Sequence, residues 1–445
     1  MSVAFGRAEC TARRRVSALV GVVLASVWMS PATACGQDAS ADPAPPVEAL
    51  VARALERAPS LAARRARLEA ANAAVPASDA LPDPMVEFEY RMFNFPEWTI
   101  GSDPGSMIGG SYRQPLLSRG RRETRHAVAV AEAGRRQAAQ AALATDLATQ
   151  VRLLYARLFV VDRERDTLAE AEELTRLLEA TAIARYAAGQ GDQAAVLRIQ
   201  LEGTRLGERQ VDLDADRMTV QAALNRLTDD APETPIGRVA ALPAVAEPGT
   251  GMAVADRAAE QAAEVGVRRS EIAVAAKQVE ASRAELKPTW ALEGGVYWQG
   301  NTDRMVNLMV GVELPIWKKR RQEPLIAAAE RERRAAELEL ADTAAEVRAE
   351  AARLLVEAEA AGRQVERYRT AILPQSSAAL DATRSSYLGG RGDFAALLDE
   401  FRRWTEVRVQ LARREADRYA ALARLDALLA PVAGGTDTEA TREAR

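Results

Sequence analysis

Two patterns of hydrophobic and polar positions share this chain. Most of it carries helical spacing. Leu147, Val151, Leu154, Leu158 and Val161 step by four and three, and Leu206, Leu213, Val220 and Leu227 step by seven. Such spacing is the seam of helices packed side by side. Four short segments break it with strict alternation. In 85-MVEFEYRMF-93, Val86, Phe88 and Tyr90 alternate with Glu87, Glu89 and Arg91, which predicts a strand with one oily and one polar face. Segments 84–93, 106–114, 289–298 and 304–314 all read this way, with Trp290 and Leu308 on oily faces and Glu293 and Glu313 on polar ones. Each is nine to eleven residues long, the length of a tilted strand crossing a bilayer.

The chain is also written twice. Residues 56-ERAPSLAARRARLEAA-71 resemble 260-EQAAEVGVRRSEIAVA-275, 115-PLLSRGRR-122 resembles 315-PIWKKRR-321, and 185-RYAAGQGDQAAVL-197 resembles 386-SYLGGRGDFAALL-398. Three matches in one order at nearly one offset mark an internal duplication of about 200 residues. A first repeat is expected over 35–229, a linker over 230–251, a second repeat over 252–431, and a polar, disordered tail over 432–445. Each repeat has a helical segment, a proline-marked break, two alternating segments, and then Pro115 or Pro315 opening a long helical stretch. Pro suits such junctions, because it ends one regular structure and tolerates the first turn of the next. Long helices are expected over 119–187, 192–228, 319–388 and 393–430. The first alone would be about 100 Å long.

Composition agrees with this pattern. Aromatic residues make up only 5% of the chain, and Ala, Arg, Glu and Leu dominate, as in long helices packed through small residues. The aromatics that exist gather around the alternating segments, as Phe88, Tyr90, Phe93, Phe95, Trp98 and Tyr112 and then as Trp290, Tyr297, Trp298 and Trp317. Membrane barrels carry aromatic girdles of this kind. The net charge of −4 comes without a basic block, so nucleic acid is not an expected partner. Arg13–Arg15 followed by 16-VSALVGVVLASVW-28 reads as a signal peptide over 1–34. Cys35 follows a small-residue cleavage site and is a candidate for lipidation, as the acylated cysteine of a lipoprotein. It is the only cysteine left after cleavage, so no intrachain disulfide is expected. His126 is the only histidine, and no nucleophile–base pair, phosphate loop or metal motif is present. Neither an enzyme nor a cofactor is expected.

Four strands cannot close a membrane barrel, and an open sheet edge is not viable in lipid. Strands in a membrane would therefore be staves of a barrel shared by several chains, with Glu87, Glu89, Arg91, Glu293 and Glu313 toward a wet lumen and Val86, Phe88, Tyr90, Trp290 and Leu308 toward lipid. The alternative reading is a soluble periplasmic coiled-coil interaction or scaffold protein, which would have no use for four lipid-length, aromatic-rich segments.

The duplication, the strand pairs followed by Pro115 and Pro315, and the twin 186-YAAGQGD-192 and 387-YLGGRGD-393 resemble the TolC family of outer-membrane efflux ducts over essentially the mature chain. The resemblance implies a mainly α fold, with four strands per chain in a trimeric 12-stranded outer-membrane β-barrel on a long periplasmic α-barrel of coiled-coil helices. It implies a homotrimer in the bacterial outer membrane, in contact with its lipid, that conducts substrate passively. Its implied partners are a periplasmic adaptor (membrane fusion protein) and an inner-membrane pump of RND type. Segments 81-LPDP-84 and 94-NFP-96 are similar to the heavy-metal branch. The cargo stays open between metal cations, drugs and proteins.

In the family the two glycine turns lie at the periplasmic tip and form a closable entrance. Gly189, Gly191, Gly390 and Gly392 would supply the positive φ of a tight helix–helix turn. Asp192 and Asp393 would cap the helices that follow. The functional expectation is that Tyr186, Tyr387, Arg391, Asp192 and Asp393 hold the aperture shut. Arg391, the basic residue inside either turn, is the candidate lock. Asp399 and Glu400, further along the next helix, would line the entrance.

Overall fold

The computed structural model describes residues 43–91, 106–246, 249, 251–299 and 303–430. The signal peptide, Cys35, the 94–96 segment and the tail lie outside the described residues. Two short helices, α1 (Val47–Arg57) and α2 (Pro59–Ser78), precede β1 (Met85–Arg91) and β2 (Met107–Leu116). The long α3 (Arg119–Ala187) and α4 (Gln193–Thr228) follow. The second repeat restates this order as α5 (Met252–Gln261), α6 (Ala263–Ala284), β3 (Thr289–Gln299), β4 (Asp303–Glu313), α7 (Gln322–Arg367), α8 (Leu373–Leu388) and α9 (Phe394–Leu429).

The heptad positions are the core. Val151, Leu158, Leu213 and Val220 are fully buried, while Leu147, Val161, Leu206 and Leu227 are nearly so. One cluster joins α1, the middle of α3, the end of α4 and α9 around Leu158, Phe159 and Leu224. A second runs toward the α3–α4 turn around Leu178, Ile199, Leu397 and Phe401. A third joins α5, α7 and α9 around Leu354 and Leu425. Among the described residues no helix is long and apolar enough to cross a membrane.

Two departures from the expected helices have local causes. The helix expected over 319–388 opens only at Gln322, after a turn over 316–321. Ser118 caps α3 by accepting from the Arg121 amide, whereas Arg321 at the start of α7 offers no side-chain acceptor. The same stretch passes through a π turn at Tyr368–Ile372 just before Pro374. Proline lacks the amide for an i−4 bond and its ring crowds that carbonyl; widening the helix there accommodates both.

The linker is packed along the helices. Arg217 Nη2 donates to the Ile236 carbonyl at 2.8 Å, Asn225 Nδ2 donates to the Pro232 and Thr234 carbonyls at 3.0 and 2.8 Å, and the Val239 amide donates to Asp162 at 2.9 Å. Ile236 and Val239 are buried.

The four strands form one antiparallel sheet in the order β1-β2-β3-β4. All four join helices at the same end, where Met85, Leu116, Thr289 and Glu313 meet α2, α3, α6 and α7. The sheet therefore stands on the helical body with β1 and β4 as its two edges.

Candidate functional site

Pairing register decides which side chains share a face, because neighbours directly across a ladder point the same way. Val86 pairs with Tyr112, Phe88 with Gly110 and Tyr90 with Ile108. Ile108 pairs with Trp298, Gly110 with Val296 and Leu116 with Trp290. Trp290 pairs with Val312, Leu292 with Val310, Gly294 with Leu308 and Val296 with Val306. One face of the sheet is thus apolar across all four strands. Phe88 is 89% exposed, Val306 78% and Leu308 76%, so none of the described residues covers it. Its polar members sit toward the ends. Gln114, near the helical end, donates to the Pro82 carbonyl, and Arg304 opposite Trp298 lies at the far end. Trp290 and Trp298 bracket the apolar stretch of β3.

The other face carries Glu87, Glu89, Arg91, Arg113, Ser111, Glu293, Asn307 and Glu313, with Met85, Met107, Met305 and Met309 between them. Glu89 and Arg91 form an ion pair at 2.7 Å. The Tyr297 ring lies over two glycines on this face. A Cβ on Gly109 would come within 2.3 Å of the ring, and one on Gly295 within 2.8 Å. The missing side chains make room for the aromatic.

At the far end of the helical body the two glycine turns are near copies. The Gln190 amide donates to the Arg185 carbonyl at 2.9 Å, and the Arg391 amide donates to the Ser386 carbonyl at 3.0 Å. Both are the six-residue closure of a helix C-terminus, which needs a left-handed residue. That residue is Gly189 (φ 70°) in one turn and Gly390 (φ 75°) in the other. Gly191 and Gly392, expected to share this role, do not have positive φ. They are small for another reason: a Cβ would lie 3.0 Å from the Tyr186 amide nitrogen or 2.8 Å from that of Tyr387. Asp192 caps α4 by accepting from the Ala194 amide at 3.1 Å. Asp393 makes no side-chain cap on α9, contrary to expectation; only its carbonyl is used there, by the Leu397 amide.

The two tyrosines differ. Tyr387 is buried, edge-on to Phe394 at 5.4 Å between ring centroids. Tyr186 is half exposed. Two breaks in the duplication accompany the difference: Phe394 has Gln193 as its counterpart in the first repeat, and Arg185 has Ser386 in the second. The Arg185 guanidinium lies 4.5 Å over the Tyr387 ring and donates to the Leu388 carbonyl at 3.0 Å. It ties the end of α3 to the end of α8. The Arg391 side chain has no ion pair or hydrogen bond within the described residues, so within one chain the tie is made by Arg185. Comparing the repeats position by position exposes it, since a basic residue beside one tyrosine and a serine beside the other is a break in the duplication. Asp399 is exposed, and Glu400 pairs with Arg403 at 2.8 Å. Deeper in the same bundle Arg402 Nε donates to the buried Glu202 at 3.0 Å, tying α9 to α4.

His126 is exposed on α3, and no group of His, Cys, Asp and Glu among the described residues could hold a metal ion.

Comparison with known proteins fits this geometry. Residues 254–430 match the family described as outer membrane efflux protein. No curated protein sequence matches the chain. The fold is similar to that of CusC (TM-score 0.73, 16% identity, 86% of this chain and 92% of that one). It is similar to the CmeC outer membrane channel of Campylobacter jejuni (TM-score 0.74, 12% identity, 89% and 88%). It is also similar to the outer membrane protein VceC of Vibrio cholerae (TM-score 0.71, 16% identity, 87% and 96%).

Proposed function

We propose that this chain, residues 254–430 of which match the outer membrane efflux protein family, works as three copies that close one 12-stranded barrel through which substrate leaves the periplasm. In this reading the protein is an outer-membrane efflux channel component with a large periplasmic part, which the family match and the likeness of its fold to CusC and CmeC support. The observation that carries the shared barrel is the sheet: an uncovered apolar face with an open edge on each side. An isolated sheet of this kind would leave a row of backbone donors and acceptors unsatisfied in hydrocarbon. Pairing β4 of one copy with β1 of the next satisfies both edges and turns every polar residue of the second face inward.

The partners in this reading are a periplasmic adaptor at the helical tip and an inner-membrane pump of RND type, which supplies the energy. The duct itself conducts passively. Its closable entrance is the pair of glycine turns. Arg185 holds the two hairpins of one chain together, while Arg391 and the half-exposed Tyr186 are left to meet the neighbouring copies.

A finer reading concerns the cargo. The inner face of the sheet carries Glu87, Glu89, Glu293 and Glu313 against Arg91 and Arg113, an acidic excess that favours cations, heavy-metal ions included. Growth of a deletion strain on copper, silver, zinc, cobalt and cadmium beside detergents, dyes and antibiotics tests it. Sensitivity to metals supports the cationic reading. Sensitivity to amphiphiles alone overturns it and leaves the duct standing.

A further inference from the structure

The two repeats enter their long helices differently. In the first, the three basic residues of 115-PLLSRGRR-122 are all engaged. Arg119 pairs with Glu123 at 2.8 Å, Arg122 with Asp79 at 3.8 Å, and Arg121 donates to Thr289 and to the carbonyls of Ala284, Glu285 and Lys287. In the second, 316-IWKKRR-321 forms a turn before α7 begins. Lys318, Lys319, Arg320 and Arg321 are all exposed. None has an ion pair or a side-chain hydrogen bond among the described residues, in a chain whose helical arginines are mostly paired.

Two apolar side chains stand beside this cluster. Ile316 is 72% exposed and Trp317 64%. With Leu286, Pro288, Leu314 and Pro315 they line an open cleft of about 650 Å³, whose acidic member is Glu323. The cleft continues the apolar face of β4 where the sheet meets the helices. With the helical body in the periplasm, as the proposed function has it, this is the depth of the periplasmic leaflet.

We propose that the Ile316–Arg321 turn is a binding site for the anionic headgroup of a periplasmic-leaflet phospholipid. Trp317 and Ile316 lie against its acyl chains, and the four basic side chains surround its phosphate. Charges of this sign beside a bilayer surface attract anionic lipid at close range, and an aromatic at the same level anchors the depth of insertion. The proposal rests on the membrane reading of the sheet. The first repeat cannot offer the same site, because its basic residues are already engaged and Leu117 stands where the second repeat has Trp317.

The test is lipid counting by native mass spectrometry on the detergent-solubilised assembly, titrated with phosphatidylglycerol, with phosphatidylcholine and with inorganic phosphate. The wild type is expected to retain phosphatidylglycerol in preference to phosphatidylcholine and to ignore inorganic phosphate. A variant carrying Lys318→Gln, Lys319→Gln, Arg320→Gln and Arg321→Gln should bind phosphatidylglycerol at least about 10-fold more weakly. The milder Lys318→Gln/Lys319→Gln pair keeps the test open if the full variant fails to assemble, and should show an intermediate loss. Arg119→Gln should change nothing. Equal retention of phosphatidylglycerol by wild type and variants overturns the proposal. So does binding of inorganic phosphate as strong as that of lipid. Loss of assembly stability with unchanged lipid retention also overturns it, and assigns the cluster to an acidic residue of a neighbouring copy. Recovery of the wild type as a lipid-free soluble monomer would instead overturn the membrane reading itself.

Discussion

The guanidinium of Arg185 lies 4.5 Å over the ring of Tyr387, and its outer nitrogen donates to the carbonyl of the next residue, Leu388. One residue of the first repeat thereby fixes the last turn of the corresponding helix in the second. A guanidinium over an aromatic face is worth about 1 kcal/mol where partly desolvated. Arg185→Ala should therefore raise the open probability of the duct about fivefold in planar bilayers. Arg391→Ala should raise leak conductance too, through contacts between copies. A conductance unchanged by either substitution removes that residue from the closure.

The turns themselves predict a split among their glycines. Gly189→Ala and Gly390→Ala place a side chain at positive φ, a cost of about 1 kcal/mol each. Gly392→Ala pushes a methyl against the Tyr387 amide nitrogen, which is backbone and cannot swing away. It should lower the thermal midpoint more than Gly390→Ala does. Paired melting curves decide it, and equal shifts would contradict the close-approach role.

The linker should respond to acid. The hydroxyl of Thr228 donates to Asp230 at 2.7 Å, and Arg53 and Arg57 stand beside it. The hydroxyl first, then the guanidinium of Arg53, holds this carboxyl below its ordinary value. A depressed carboxyl contributes stability above the unfolded value of about 4, and that stability is lost as pH falls through the folded one. Limited proteolysis near 230–234 should accelerate over that window, and Asp230→Asn should make the rate insensitive to pH there. A wild-type rate flat across the same window would contradict the role of Asp230.

Deeper in the linker, Asp162 is 3% exposed and accepts from both Arg217 and the Val239 amide. Removing one member of a buried pair typically costs 3–5 kcal/mol. Asp162→Ala should cost about that much and free the 236–239 segment to hydrogen exchange. Unchanged protection of the Val239 amide would show that the ion pair is not what holds the linker.

Much of this architecture is legible in the chain because it rests on period. The alternation of Val86, Phe88 and Tyr90 with Glu87 and Glu89 survives in the sheet register, and the seven-residue steps from Leu206 to Leu227 are the buried seam. Features set by contacts between distant residues are less visible. Nothing local in 185-RYAAGQGD-192 says that Arg185 reaches Tyr387, because the partner is about 200 residues away and only folding brings the repeats together. The four glycines look alike in sequence, yet two serve backbone conformation and two serve close approach. The late start of α7 follows from what Arg321 lacks, a side-chain acceptor, which helical spacing does not register.

The apolar face has its own test by charge. Leu308 lies in mid-strand and is 76% exposed, while Asn307 beside it faces the other way. Leu308→Arg should cost on the order of 2–4 kcal/mol at a midplane lipid position and impair assembly. Asn307→Arg should assemble normally and alter conductance. Equal tolerance of both would contradict the assignment of faces.

The most direct test of the shared barrel is cross-linking between the two sheet edges. Within one chain β1 and β4 are separated by two strands, so they can be joined only between copies. In a Cys35→Ser background, cysteines at Val86 on β1 and at Val306, Leu308 or Val310 on β4 would be oxidised in outer-membrane fractions. A barrel shared by three copies gives, for at least one pair, disulfide-linked species of two and three chains and no larger ladder. Monomers alone for every pair, or a ladder extending beyond three, would contradict it.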